Sequence, residues 1–127
     1  PGGRPPDGIR HLPGVIDPRS IRPLDTELIV QSVRKTGRLV VADTSWAHCG
    51  FSAEVAAVAA ERCHDSLKGP VRRITIMDCP APVSRPLEDA FHPNAHTIVD
   101  ACLALLKNDA RVKQRLPDLQ AQFAGPY

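Results

Sequence analysis

The sequence predicts an α/β domain on a mainly parallel sheet, and three observations carry that expectation. Strand-like and helix-like segments alternate as β-α-β-α-β-α, the order that a parallel sheet with helical crossovers requires. The run Arg38–Asp43 is apolar almost throughout, as a strand buried on both faces must be. A chain of 127 residues with 43% hydrophobic and 24% charged side chains supports one ordinary core, not two.

The elements follow in order. Pro1, Pro5, Pro6, Pro13 and Pro18 crowd the opening beside Gly2, Gly3, Gly8 and Gly14, so residues 1–13 read as an irregular arm. Gly14-Val15-Ile16-Asp17 is a short apolar run closed by Pro18 and is expected as a strand. A helix is predicted from Thr26 to Lys35. Asp25 is its N-cap, Leu24 and Ile29 have the spacing of a hydrophobic staple, and Gly37 ends it. Leu28, Ile29, Ser32 and Val33 fall on its apolar face.

Arg38–Asp43 is the next strand, followed by the polar loop Thr44–Phe51. Ser52 is placed to cap a helix over Ala53–Leu67, whose alanines permit close packing, and Lys68-Gly69-Pro70 stops it. Val71–Met77 alternates in part and reads as a third strand. The run Asp78–Pro86, with Pro80, Pro82 and Pro86, is a surface connection, and Leu87–Phe91 a short turn of helix. Asn94 caps a longer helix with Ile98, Val99, Cys102, Leu105 and Leu106 on its apolar stripe. The domain is expected over residues 14–107, with a polar tail over 108–127 that includes a helix at Ala110–Leu116.

Charge and cysteine usage exclude several classes. Sixteen Lys and Arg against 14 Asp and Glu leave a net charge of +2, scattered along the chain, so no nucleic-acid or membrane partner is indicated. No apolar stretch is long enough to span a bilayer, and no secretory signal pattern opens the chain. Cys49, Cys63, Cys79 and Cys102 are widely spaced, which suits reduced thiols in the cytoplasm.

The most reactive-looking segment is Trp46–Phe51, at the carboxyl end of a strand and the start of a helix, where ligands of open parallel sheets gather. His48 and Cys49 are neighbours, but neighbouring side chains in extended chain diverge and no third group orients them, so a nucleophilic pair is disfavoured. His48, Cys49, Cys63 and His64 lack the spacing of a zinc site. Asp43 and Asp78 lie at or after strand ends, where aspartates bind ligands or cap loops, and Glu88 and Asp89 follow the proline-rich connection. Dinucleotide, Walker and nucleophile-elbow motifs do not occur.

Several blocks together carry a resemblance. Val15-Ile16-Asp17-Pro18-Arg19-Ser20-Ile21-Arg22-Pro23-Leu24-Asp25 is similar to the V-I-D-L-R-(T/S)-(L/I)-x-P-L-D segment of the transketolase C-terminal domain. Lys35–Val41 resembles K-T-G-R-(L/V)-(V/L)-V, and Gly50–Val55 resembles G-F-(G/A/S)-A-E-(I/V). Leu67–Arg73 resembles L-x-A-P-V-x-R, Asp78–Pro82 resembles D-x-P-x-P, and Leu87-Glu88 with Pro93 and Ile98 fits the closing segment. The likeness runs over residues 14–106 and is nearest to beta subunits of thiamine diphosphate-dependent 2-oxo acid dehydrogenases of the pyruvate, branched-chain and acetoin types.

That resemblance implies a three-layer α/β/α domain that shapes the contact between beta subunits and offers a surface to the subunit-binding domain of the acyltransferase core. Thiamine diphosphate and magnesium would serve the complete enzyme but be held elsewhere, with none bound by this chain alone. The implied partners are a second beta subunit and an alpha subunit or a missing N-terminal domain. The implied compartment is the cytoplasm, or the mitochondrial matrix in a eukaryote. The family's first strands are expected to be absent here, which suggests a C-terminal fragment. The alternative is a free-standing, non-catalytic interaction module. His48 is the substrate-proximal candidate, and no catalytic, cofactor-binding or metal-binding residue is assigned.

Overall fold

A computed structural model describes residues 14–106. The arm at 1–13, residue 107, the tail at 108–127 and its predicted helix lie outside the described residues. Within them the order is α1 (Thr26–Thr36), β1 (Val40–Ala42), α2 (Phe51–Cys63), a 3-10 turn (His64–Ser66), β2 (Arg72–Ile74), α3 (Arg85–Phe91) and α4 (Ala95–Leu106).

Local chemistry explains α1. Asp25 Oδ1 accepts the Leu28 N–H at 3.0 Å, satisfying one of the free donors of the first turn. Leu24 packs against the core that holds Ile29, as the staple requires. Gly37 ends the helix at φ 72°, its N–H donating to the Val33 carbonyl at 2.7 Å. The buried face is Ile29, Val30 and Val33, while Leu28 is exposed. The stripe is thus turned by one residue from the predicted face.

β1 and β2 pair in parallel, with Val40 opposite Arg72, Val41 opposite Arg73 and Ala42 opposite Ile74. The ladder extends at both ends, Arg72 N–H to the Leu39 carbonyl at 3.0 Å and Asp43 N–H to the Ile74 carbonyl at 2.9 Å. Leu39 and Val41 share one strand face and pack on the cluster Ile29, Val30, Val33, Val55, Val58 and Cys63 from α1 and α2. α4 runs against both strands as the third layer. Its apolar residues Ile98, Val99, Cys102, Leu105 and Leu106 are all half-buried, and Asn94 caps it, accepting the Thr97 N–H at 3.0 Å.

Two expectations need correction. Gly14–Asp17 is not a strand: Val15 is 95% exposed, and no strand pairs with these residues among those described. Asp17 Oδ1 instead accepts the Arg19 N–H at 3.2 Å, and Arg19 takes φ 53°, a turn that competes with extension while Pro18 withholds a ladder donor. The helix predicted to run to Leu67 leaves α-geometry at Cys63 and finishes in the 3-10 turn. Leu67 N–H then meets both the Cys63 and His64 carbonyls, at 3.2 and 3.3 Å.

Gly37 is also crowded. A Cβ there would stand 2.8 Å from Lys68 side-chain carbons and 3.0 Å from the Ser66 carbonyl oxygen. Gly37→Ala is expected to destabilise the protein by about 1 kcal/mol or more, read as a lower midpoint in thermal denaturation, whereas Lys35→Ala at the exposed end of the same helix leaves the midpoint nearly unchanged.

Candidate functional site

The carboxyl ends of β1 and β2 are the part of the fold where polar side chains converge. The chain leaves β1 through Asp43, loops over Thr44–Gly50 and enters α2. Asp43 Oδ1 accepts the Ser45 N–H at 3.1 Å, and Oδ2 accepts the Ser45 hydroxyl and, at 2.9 Å, the Ser52 N–H. One carboxylate therefore closes the loop and takes a first-turn donor of α2, where negative charge also meets the positive end of the helix dipole.

Burial on its own pushes the Asp43 carboxyl up. The hydrogen bonds from the Ser45 hydroxyl and from the Ser52, Ser45 and Thr44 N–H groups outweigh it and hold the group below its ordinary 3.8. Gly50 lies directly under the loop. A Cβ there would overlap the Trp46 carbonyl oxygen and come within 2.5 Å of Ser45 Oγ, so the close approach admits no side chain.

The capping role predicted for Ser52 is taken by Asp43. Gly50 occupies the N-cap position of α2, and Ser52 sits inside the first turn, fully buried, with Oγ lacking a hydrogen-bond partner. A small side chain fits that position, in line with the (G/A/S) of the block Gly50–Val55. Sequence reasoning left Asp43 open between ligand and cap, and its spacing to Ser52 gave no local signal because the contact spans the loop.

Three contacts link the loop to β2 and the segment after it. Ile76 N–H donates to the Ser45 carbonyl at 3.4 Å, Arg73 Nη1 donates to the Ala47 carbonyl at 2.7 Å, and His48 Nδ1 lies 4.0 Å from Asp78 Oδ2. Of the residues singled out by sequence, His48, Cys49 and Asp78 come together here. Cys49 is exposed at φ 54°, a left-handed conformation uncommon for any side chain. Arg73 was not read as a site residue, although it fills the closing R of the L-x-A-P-V-x-R block.

The other candidates lie apart. Cys63 is buried, its Sγ 3.9 Å from the Val30 carbonyl, and His64 is exposed beyond it. Glu88 and Asp89 line an open polar groove with Arg85, His92, Pro93 and Asn94. Cys102 is half-buried on α4, where burial pushes its thiol up and away from the reactive thiolate. Among the described residues no three His, Cys, Asp or Glu side chains gather as metal ligands. No helix there is long and apolar enough to cross a membrane.

Comparison with known families fixes what this arrangement belongs to. Residues 11–98 match the transketolase C-terminal domain. The chain is a member of that family. It is 40% identical over 96 residues to the beta subunit of acetoin:2,6-dichlorophenolindophenol oxidoreductase of Bacillus subtilis, an alignment covering 76% of this chain and 28% of the relative. Against the mitochondrial pyruvate dehydrogenase E1 component subunit beta of Saccharomyces cerevisiae it is 41% identical over 93 residues, 72% and 25% of the two chains. The 2-oxoisovalerate dehydrogenase subunit beta of Pseudomonas aeruginosa shares 47% over 79 residues, 62% and 22%. The chain thus spans about a quarter of the length of these relatives. The transketolase C-terminal domain bears out the expected α/β class.

Because the folded-state pKa of Asp43 is depressed, its contribution to stability is present above the ordinary carboxylate range and is lost as pH falls through the folded value. Asp43→Ala is expected to cost about 1 kcal/mol or more at neutral pH. In urea denaturation from pH 7 down to 3, Asp43→Asn should lose less stability than the parent. An unchanged acid slope would contradict this account.

Proposed function

We propose that this chain works as the C-terminal domain of a beta subunit in a thiamine diphosphate-dependent 2-oxo acid dehydrogenase, contributing subunit contacts rather than the cofactor site. The observation that carries the reading is 40–47% identity, over most of the described domain, to beta subunits of three such dehydrogenases and oxidoreductases that act on different compounds. Its partners on this reading are a second beta subunit, an alpha subunit and, in a larger complex, the subunit-binding domain of the acyltransferase core. Its compartment is the bacterial cytoplasm or the mitochondrial matrix.

The N-terminus of α2, the place in this fold where a diphosphate would be expected to sit, does not fit one: it is already filled by the Asp43 carboxylate, whose charge repels a diphosphate. On this reading the cofactor is held by residues other than these. What the chain offers toward the reaction is the Thr44–Gly50 loop, which displays His48 at the carboxyl edge of the sheet. His48 is 86% exposed there, free to meet a substrate or a neighbouring subunit.

Three measurements test this reading. Antibody capture of the native protein from its source cells should bring down an alpha subunit and catalyse 2-oxo acid-dependent reduction of 2,6-dichlorophenolindophenol, with turnover requiring thiamine diphosphate and magnesium. Capture of the chain with no companion and no turnover would overturn it. Calorimetric titration of the isolated chain with thiamine diphosphate and magnesium should show no binding tighter than about 1 mM, and tight binding would place the cofactor site here after all. In the assembled enzyme, His48→Ala should raise KM for the 2-oxo acid; unchanged turnover and KM would remove His48 from the substrate path.

A further inference from the structure

We propose that Arg73 is a positioning residue for the Thr44–Gly50 loop, and that through the Ala47 carbonyl it sets where His48 stands. The part concerning His48 rests on the reading of that loop given above; the part concerning the loop itself does not.

The argument is one of relative strengths. Asp43 fixes the start of the loop and Gly50 its end, packing under the Trp46 carbonyl, but neither bonds to Ala47 or His48. No regular backbone ladder covers those three residues, and Cys49 after them is held in the left-handed region. Their placement therefore depends on contacts across to the β2 side. The Ile76–Ser45 hydrogen bond is long at 3.4 Å and acts one residue before Trp46. The His48–Asp78 pair is separated by 4.0 Å, with side chains 86% and 72% exposed, a geometry in which an ion pair contributes little.

The Arg73 bond is exposed as well, but it differs in length, charge and place. It is 2.7 Å long, its donor carries full charge, and its acceptor is the carbonyl immediately preceding His48. Arg73 also starts from a fixed place. It is paired in register with Val41 inside the ladder, so its backbone cannot drift relative to the strand from which the loop departs. The guanidinium thus ties the middle of the loop to the same ladder that anchors its beginning. A single donor nitrogen makes the contact, so a lysine of sufficient reach can replace it, whereas alanine cannot.

Trp46 reports on this directly, because it is the chain's one tryptophan and adjoins Ala47. Arg73→Ala in the full chain should red-shift Trp46 emission and increase its quenching by acrylamide while the far-ultraviolet circular dichroism stays that of the parent, and Arg73→Lys should restore the parent spectrum. Emission and quenching unchanged in Arg73→Ala would overturn the proposal whatever His48 does, as would a spectral change that lysine fails to reverse. In the assembled enzyme, Arg73→Ala should raise KM for the 2-oxo acid by up to about tenfold, with no further rise when combined with His48→Ala. If His48→Ala raises KM but the Arg73 effect adds to it in full, Arg73 does not act through His48. If Arg73→Ala moves Trp46 and His48→Ala leaves KM unchanged, the loop placement stands and the substrate reading of His48 falls.

Discussion

The carboxylate of Asp43 is the contact on which the working end of this fold depends. It sits at the last position of the β1 ladder, where its own N–H is still bonded to Ile74, and its two oxygens reach forward to Ser45 and to the first turn of α2. A strand end, a loop and a helix start are thereby fixed by one side chain. Without it the buried Ser52 N–H would need another acceptor, and leaving such a donor unmet costs about 1–3 kcal/mol. The depressed pKa of Asp43 is the same fact in another form, since the donors that hold the loop also hold the charge.

That arrangement decides what the site is free to do. In many parallel sheets the first turn of a crossover helix is left open for an anionic ligand. Here the protein supplies the anion itself. The loop that results is short, lies closely over Gly50, and turns Trp46, His48 and Cys49 outward. An outward-facing rim of this kind suits contact with another surface better than enclosure of a small molecule.

The legible parts of the chain were those governed by near neighbours in sequence. The Asp25 cap, the Leu24–Ile29 staple and the Gly37 stop lie within five residues of what they act on, and all three are present. Asn94 before α4 is equally local. β1 and β2 were visible as apolar or alternating runs, though each is only three residues long in the fold because the flanking backbone turns to the loops. The failures share the opposite property. Val15–Asp17 has the composition of a strand, but a strand exists only where a neighbour pairs with it. Ser52 looked like a cap because capping residues are usually adjacent, whereas the true cap lies nine residues upstream across the loop. Arg73 is separated from its acceptor by 26 residues, a relation that only the parallel register creates.

The distribution of the buried core has a consequence for how the molecule opens. Among the described residues every buried apolar side chain except Phe91 lies between Ile29 and Cys63. α4 contributes only half-buried residues, and α3 holds to the rest through Phe91 alone among its buried side chains. Opening free energy follows buried apolar contact, so α3 and α4 are expected to open before the unit of α1, β1 and α2, whose amide hydrogens should exchange more slowly. Because α4 runs against both strands, that partial opening uncovers one face of the sheet while leaving the Asp43-anchored loop in place.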